Sequence, residues 1–390
     1  MSAAAGLRIL AFCDYFSEHS SGGSERAALE IYRRLAHDGA TIRVITPLPR
    51  SMSAVASNGR VEVRAVPTLD LSQFLGIQAA LPPSLFAGLR QTAAEFGPNV
   101  IHANTLFFGS TLAAARLQQV TGVPLVTTVQ IAGLDLLPWP ARLPGMAYER
   151  TVGRFVLSRS TWLIAVSPAV RAHLVELGAP DGRISVIPNG VDLERFYPAV
   201  NVNEGPRVVM FVGRLISNKG PDTFLRALLQ LRSEGSSFKA VFVGDGPMRA
   251  QLEEQAKSLG ASVEFAGQIP DVAPLLRQAD ILVRPSLTEG LPLGILEAMA
   301  SGVSVIASDI AGNRDLIRHG DNGLLVPPND SSALARAIRA LLDDPSRRKK
   351  LAGSAMQTVG QYGWDSIASR TGAMLASVAN VGAGSLRRAS

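Results

Sequence analysis

Along the chain, short runs of consecutive apolar residues ending in Gly, Ser or Asn alternate with longer stretches whose apolar positions recur at helical spacing. This alternation predicts βαβ units, because a strand covered by helices on both faces is apolar throughout, whereas a crossover helix needs one apolar stripe. In the first half the strands fall at "LRILAF", "TIRVIT", "VEVRAV", "NVIHAN", "PLVTTV", "WLIAVS" and "ISVIPN". A second series follows at "RVVMFVGR", "KAVFVGDG", "VEFAG", "ILVRPS" and "VSVIAS". Between the two lies "YPAVNVNEGP", residues 197–206, polar and bearing Pro and Gly, where few contacts should cross. The expected fold class is therefore α/β with two doubly wound domains: a first over residues 1–197, a linker over 198–206 and a second over 207–362. If the domains face a central cleft, the carboxyl ends of both sheets border it, and the ligand site should draw on both halves.

Length and composition agree with this division. A chain of 390 residues is too long for one core and comfortable for two domains. Its 47% hydrophobic and 18% charged residues are the balance of a globular enzyme. The net charge of +6 divides almost evenly between the halves, so neither reads as a nucleic-acid binder. Cys13 is the only cysteine, which rules out an intrachain disulfide and fits a reducing, cytoplasmic setting. The apolar run near the start reads as a first strand, not a signal peptide. The charge-free stretch from Leu71 to Leu89 is interrupted by Pro82 and Pro83, so it does not read as a transmembrane helix.

Three local patterns carry chemistry. In "FVGRLISNKG" Arg214 stands just past a strand and Lys219 just before a helix opened by Pro221; two fixed cations there suit a diphosphate, the alternative being a solvated basic loop. "GGSER", residues 22–26, follows the first strand and opens a helix, where free amides favour an anion. In "LTEGLPLGILEAMASG" Glu289 lies in a Gly/Pro-rich loop and Glu297 inside an apolar helix. A buried carboxylate needs donors, and a vicinal diol such as a ribose supplies two; the competing reading is a glutamate that snorkels to solvent. "VFVGDGPM" lacks the third glycine of G-x-G-x-x-G, having Arg249 there, so a nicotinamide dinucleotide site is set aside.

Taken together, "VIPNGVDLERFYP", "FVGRLISNKG", "VGDGP", "LTEGLPLGILEAMASGVSVIASDIAGNRDLI" and "HGDNGLLVPPND" resemble the retaining, nucleotide-sugar-dependent glycosyltransferases often called family 4, with two Rossmann-like domains in the GT-B architecture. The match is dense from Ile187 to Asp330 and thinner but continuous before that. The resemblance implies that Arg214 and Lys219, beside Gly213, hold the donor diphosphate and that Glu297 holds the ribose. It places Glu289 beside the transferred sugar, with the backbone of Gly290, Leu291, Pro292 and Leu293 running along sugar and phosphate. Gly23 would close over the phosphates, Gly267 to Ile269 would pass the base, and Asn189 would lie in a turn near the site. Glu289, Arg214 and Lys219 are the implied catalytic set, and a helix at about 363–382 is implied to pack back on the first domain.

Two positions depart from the family pattern, which often has histidines where this chain has Gln130 and Asn104. His102 is the remaining polar candidate on the acceptor side together with Gln130, although a histidine ending a buried strand can equally be a hydrogen-bonded core residue. The sequence has no D-x-D pair, so no metal and no cofactor is expected. The implied reaction is retaining, with a departing phosphate oxygen taking the acceptor proton. A sugar-nucleotide 2-epimerase of the same architecture and a non-catalytic sugar-nucleotide binding module are the rival readings. The expected partners are a nucleotide sugar and a carbohydrate or lipid-linked acceptor, as in surface polysaccharide or glycolipid synthesis. Trp139, the apolar loops around it, and Arg150 with Arg154 one turn on fit either peripheral contact with the inner face of an anionic membrane or ordinary loops over a core.

Overall fold

A computed structural model describes residues 3–17, 22–48, 53–54, 56–70, 80–81, 86, 88–106, 109–131, 133, 142–199 and 205–386. It divides into two compact units, one of residues 1–135, 139–189 and 364–390, the other of 136–138 and 190–363. Of the expected linker, residues 200–204 lie outside the described residues, as do Trp139 and most of the apolar loop that starts at Leu71.

The first unit is built on seven parallel strands: β1 (Arg8–Phe12), β2 (Thr41–Leu48), β3 (Val61–Pro67), β6 (Val100–Asn104), β7 (Leu125–Val129), β8 (Trp162–Ala165) and β9 (Ile184–Val186). Their order is β3-β2-β1-β6-β7-β8-β9. The chain winds outward from β1, returns to lay β6 on its other side, and continues, so the winding reverses between β1 and β6. All five residues of β6 and of β7 are buried, as strands covered on both faces require. Two short strands, β4 (Leu69–Asp70) and β5 (Ala80–Leu81), pair antiparallel and were not expected. The helix Trp364–Leu386 belongs to this unit; it packs on the helix Gly23–His37, where Arg34 reaches Asp365 at 2.6 Å.

The second unit holds six parallel strands, β10 (Val208–Val212), β11 (Lys239–Val243), β12 (Val263–Gly267), β13 (Ile281–Arg284), β14 (Ser304–Ser308) and β15 (Leu324–Val326). The order β12-β11-β10-β13-β14-β15 reverses between β10 and β13. Phe224, Phe242 and Phe265 run through its core with neighbouring ring centroids 4.9 and 4.7 Å apart. β15 escaped the sequence pattern because it is only three residues long, enclosed between Gly323 and Pro327. Among the described residues no helix is long and apolar enough to cross a membrane.

Candidate functional site

In a parallel sheet the reversal of winding opens a crevice at the carboxyl ends of the two central strands, because the following loops diverge to opposite faces. In the second unit those loops begin at Gly213, after β10, and at Pro285, after β13. Gly220 lets them approach: its backbone is left-handed at φ +68, and a Cβ would collide with the Pro285 carbonyl oxygen. The Leu287 amide then donates to the Asn218 carbonyl at 2.8 Å, joining the two loops.

Two of the named side chains meet there, joined by a third, Arg284. Lys219 Nζ donates to Glu289 Oε1 at 2.8 Å, and the Arg284 fork reaches the same oxygen from Nε at 2.9 Å and from its terminal nitrogen at 2.8 Å. Burial alone would raise the Glu289 carboxyl, but Arg284 and Lys219 outweigh it and bring it down to about 2. For Lys219, burial lowers the ammonium to about 8; Glu289 opposes the fall, and Arg284 and Arg214 add to it. Arg214 is thus near enough for its charge to act on Lys219. Sequence reasoning missed Arg284, although the signal was present: an arginine ending the apolar strand "ILVRPS" would be buried, and a buried arginine needs a carboxylate.

The rest of the expected donor loop follows from Glu289. Gly290, Leu291 and Pro292 lead into the helix Leu293–Ala300, for which Pro292 is the N-cap. Gly312 packs against this loop so closely that a Cβ would strike the Glu289 and Gly290 carbonyl oxygens. Glu297 is buried within the helix, 3% exposed, and does not snorkel. Gly267 ends β12 and accepts from the Gly244 amide at 2.7 Å, while Ile269, two residues on, is half-buried.

The first unit gathers a different set at its own reversal. Gly23 opens the helix Gly23–His37 after the loop that leaves β1. Asn189 donates to Gln130 Oε1 at 3.0 Å, Gln130 donates to Asn104 Oδ1 at 3.4 Å, and Asn104 donates to the Ser24 carbonyl at 2.8 Å. The two residues that stand in place of histidines are therefore hydrogen-bonded to each other, and Gln130 and Asn189 are brought together as expected residues of one neighbourhood. His102 is not part of it. It is 2% exposed, with Nδ1 2.9 Å from the Tyr32 hydroxyl and Nε2 2.9 Å from the Thr128 hydroxyl. Burial lowers its pKa to about 4, so it is neutral, and its surroundings are those of the hydrogen-bonded core residue, the second of the two readings given for it.

Sequence reasoning also missed Asp14, just past β1 and 1% exposed. Its Oδ2 accepts from Ser110, and its buried Oδ1 has no hydrogen-bond partner among the described residues. Burial pushes this carboxyl from 3.8 up to about 7, with Ser110 opposing and the nearby Glu25 charge adding to the rise. Among the described residues no group of three or more His, Cys, Asp or Glu is placed to hold a metal ion.

Asp14 generates a prediction about stability. A carboxyl raised in the folded state leaves stability intact below its unfolded pKa and removes it as pH rises toward the folded value, here from about pH 4 to about 7. His102, lowered to about 4, has the opposite slope in part of that window, so the informative quantity is a difference between proteins. Asp14→Asn should become progressively more stable than the native chain across pH 4 to 7, by a few kcal/mol at the upper end at about 1.4 kcal/mol per pKa unit. Urea midpoints measured at several pH values check this, and a difference independent of pH would contradict it.

Comparison with known proteins gives the family and the fold. The model of the family described as Glycosyltransferase Family 4 matches residues 21–195, and that of Glycosyl transferases group 1 matches residues 194–358. D-inositol 3-phosphate glycosyltransferase 1 of Catenulispora acidiphila is 30% identical over 404 residues, spanning 93% of this chain and 94% of that one. The fold is similar to that of sucrose-phosphate synthase from Thermosynechococcus elongatus, with a TM-score of 0.81 at 24% identity over 94% of this chain and 98% of the other. It is also similar to that of HepE from Anabaena in complex with UDP-glucose, with a TM-score of 0.74 at 23% identity over 95% and 99%. The two parallel-sheet α/β domains are thus those of GT-B structures, and with one relative matched along nearly its whole length and both family models in place, the chain belongs to the family 4 type of glycosyltransferases.

Proposed function

We propose that the protein transfers a sugar from a nucleoside-diphosphate sugar to a hydroxyl acceptor with retention of anomeric configuration and without a metal. The observation that carries this reading is the pairing of two buried cations with one carboxylate oxygen at the β10–β13 reversal, which leaves positive charge in excess where an anion would lie. Lys219 has three N–H groups and spends one on Glu289, so the others suit phosphate oxygens, and Arg214 adds a planar fork. Glu289, kept ionised, suits the sugar and the positive charge that develops at its anomeric carbon. Glu297, buried in the helix that follows, suits the ribose. In the transfer the bond from the anomeric carbon to the diphosphate breaks, a bond to the acceptor oxygen forms on the same face, and the acceptor proton passes to the departing phosphate.

The donor class draws support from the relatives: the HepE structure is a complex with UDP-glucose, and the relative from Catenulispora acidiphila is a D-inositol 3-phosphate glycosyltransferase. A carbohydrate or lipid-linked acceptor, in cell-surface polysaccharide or glycolipid synthesis at the cytoplasmic face of a membrane, fits the exposed Leu143 and the exposed Arg150 and Arg154 on neighbouring turns.

Glu297→Ala should weaken binding of the free nucleoside diphosphate by about 1–3 kcal/mol, the worth of charged hydrogen bonds lost. Glu289→Gln should leave that affinity nearly unchanged and lower the transfer rate with the intact donor. Calorimetry and kinetics separate the two, and equal loss of diphosphate binding would refute the assignment. Turnover should survive EDTA; strict dependence on added Mg²⁺ or Mn²⁺ would show that Arg214 and Lys219 do not carry the leaving-group charge. The chain should also co-sediment with acidic liposomes and be released by salt, and equal recovery on neutral liposomes would remove the electrostatic part of membrane contact.

A further inference from the structure

Arg284 is a cation of this site that no motif marks. It ends β13, 9% exposed, and each of its guanidinium nitrogens is engaged: Nε and one terminal nitrogen with Glu289 Oε1, the other terminal nitrogen with the Val212 carbonyl oxygen at 2.6 Å. It therefore ties the last residue of β13 to the last residue of β10 and both to the carboxylate between the loops. Lys219 touches the same oxygen, but Lys219 is the cation that a diphosphate would share, and with its ammonium lowered to about 8 it loses charge in mildly alkaline solution. Arg284 keeps its charge at any accessible pH and is too enclosed to follow a ligand.

We propose that Arg284 is a positioning residue for Glu289, holding the carboxylate ionised and in one orientation while Lys219 is drawn toward the donor phosphates. This rests on the reading that Glu289 acts in the transfer. The charges that act on Glu289 come from β13 in Arg284 and from the turn after β10 in Lys219, with Arg214 acting on Lys219; the helix Ala311–Arg314 brings the Gly312 backbone against it. Without Arg284, burial would dominate and Glu289 would take up a proton nearer to neutrality. A mere structural tie between β10 and β13 would have no such consequence.

The test is a pH profile of kcat/KM between pH 4 and 9, read as nucleoside diphosphate released with acceptor present, for Arg284→Met, Arg284→Lys, Glu289→Gln and the Arg284→Met/Glu289→Gln double variant. Arg284→Met should bring an acid limb into this range, whereas the native carboxylate, held at about 2, titrates below it, and should lower the rate at pH 7 by ~10- to 100-fold. Arg284→Lys should leave that acid limb below the range, as in the native protein. In the Glu289→Gln background the Met substitution should cost less than ~3-fold, because the group it serves is already gone. If Arg284→Met does not fold, Arg284→Lys and the double variant, in which no carboxylate is left unpaired, carry the comparison. An unmoved acid limb with equal losses in both backgrounds would overturn the role of Arg284 alone. Native transfer by Glu289→Gln would instead remove the reading of Glu289, and the inference with it.

Discussion

A carboxylate buried at the end of a parallel sheet has to be compensated, and Glu289 is compensated by cations from the end of β13 and from the turn after β10. Taking it out of water without Arg284 and Lys219 would cost several kcal/mol or force it to bind a proton. Much of the local architecture follows from that requirement. The reversal between β10 and β13 brings the ends of two strands side by side; Gly220 and Gly312 remove the side chains that would hold the loops apart; Arg284, last in its strand, reaches across to Val212. The result is a rigid, charged floor whose donors are already oriented, the condition under which electrostatic stabilisation of a transition state needs no reorganisation.

The first unit uses the equivalent place in its sheet differently. Its chain of Asn189, Gln130 and Asn104 is neutral, does not titrate, and fixes the start of the helix Gly23–His37 through the Ser24 carbonyl. The acidic groups nearby, Asp14 and Glu25, are buried, and Asp14 is held largely protonated up to about neutral pH. The two reversals thus differ in electrostatic character: one concentrates positive charge, the other suppresses negative charge. The positive charge of the second unit's reversal favours an anionic ligand, which accords with the proposed donor.

Local pattern made much of this legible. The central strands stand out as continuous apolar runs because burial on both faces leaves little room for polar residues, whereas the edge strands β3 and β12 were legible although Glu62, Arg64 and Glu264 interrupt them. Glu297 was legible as a buried carboxylate because it sits inside such a run. What escaped is long-range. Lys219 lies 70 positions from Glu289, and Ser110 lies 96 from Asp14; each pair meets only because strands far apart in the chain become neighbours in the sheet. His102 looked like a candidate ligand because nothing local shows that Tyr32 and Thr128 occupy both its nitrogens. Arg284 was visible only as the end of a strand; its partner is five residues on, but the loop that turns Glu289 back toward it depends on Gly312, more than twenty residues farther along.

The most direct test of the account is a crystal structure with an unhydrolysed nucleotide sugar. The account predicts diphosphate oxygens on Arg214 and Lys219, ribose hydroxyls on Glu297, and the sugar within hydrogen-bond distance of Glu289, with Arg284 unmoved on that carboxylate. A nucleotide whose diphosphate touches neither Arg214 nor Lys219 would contradict it.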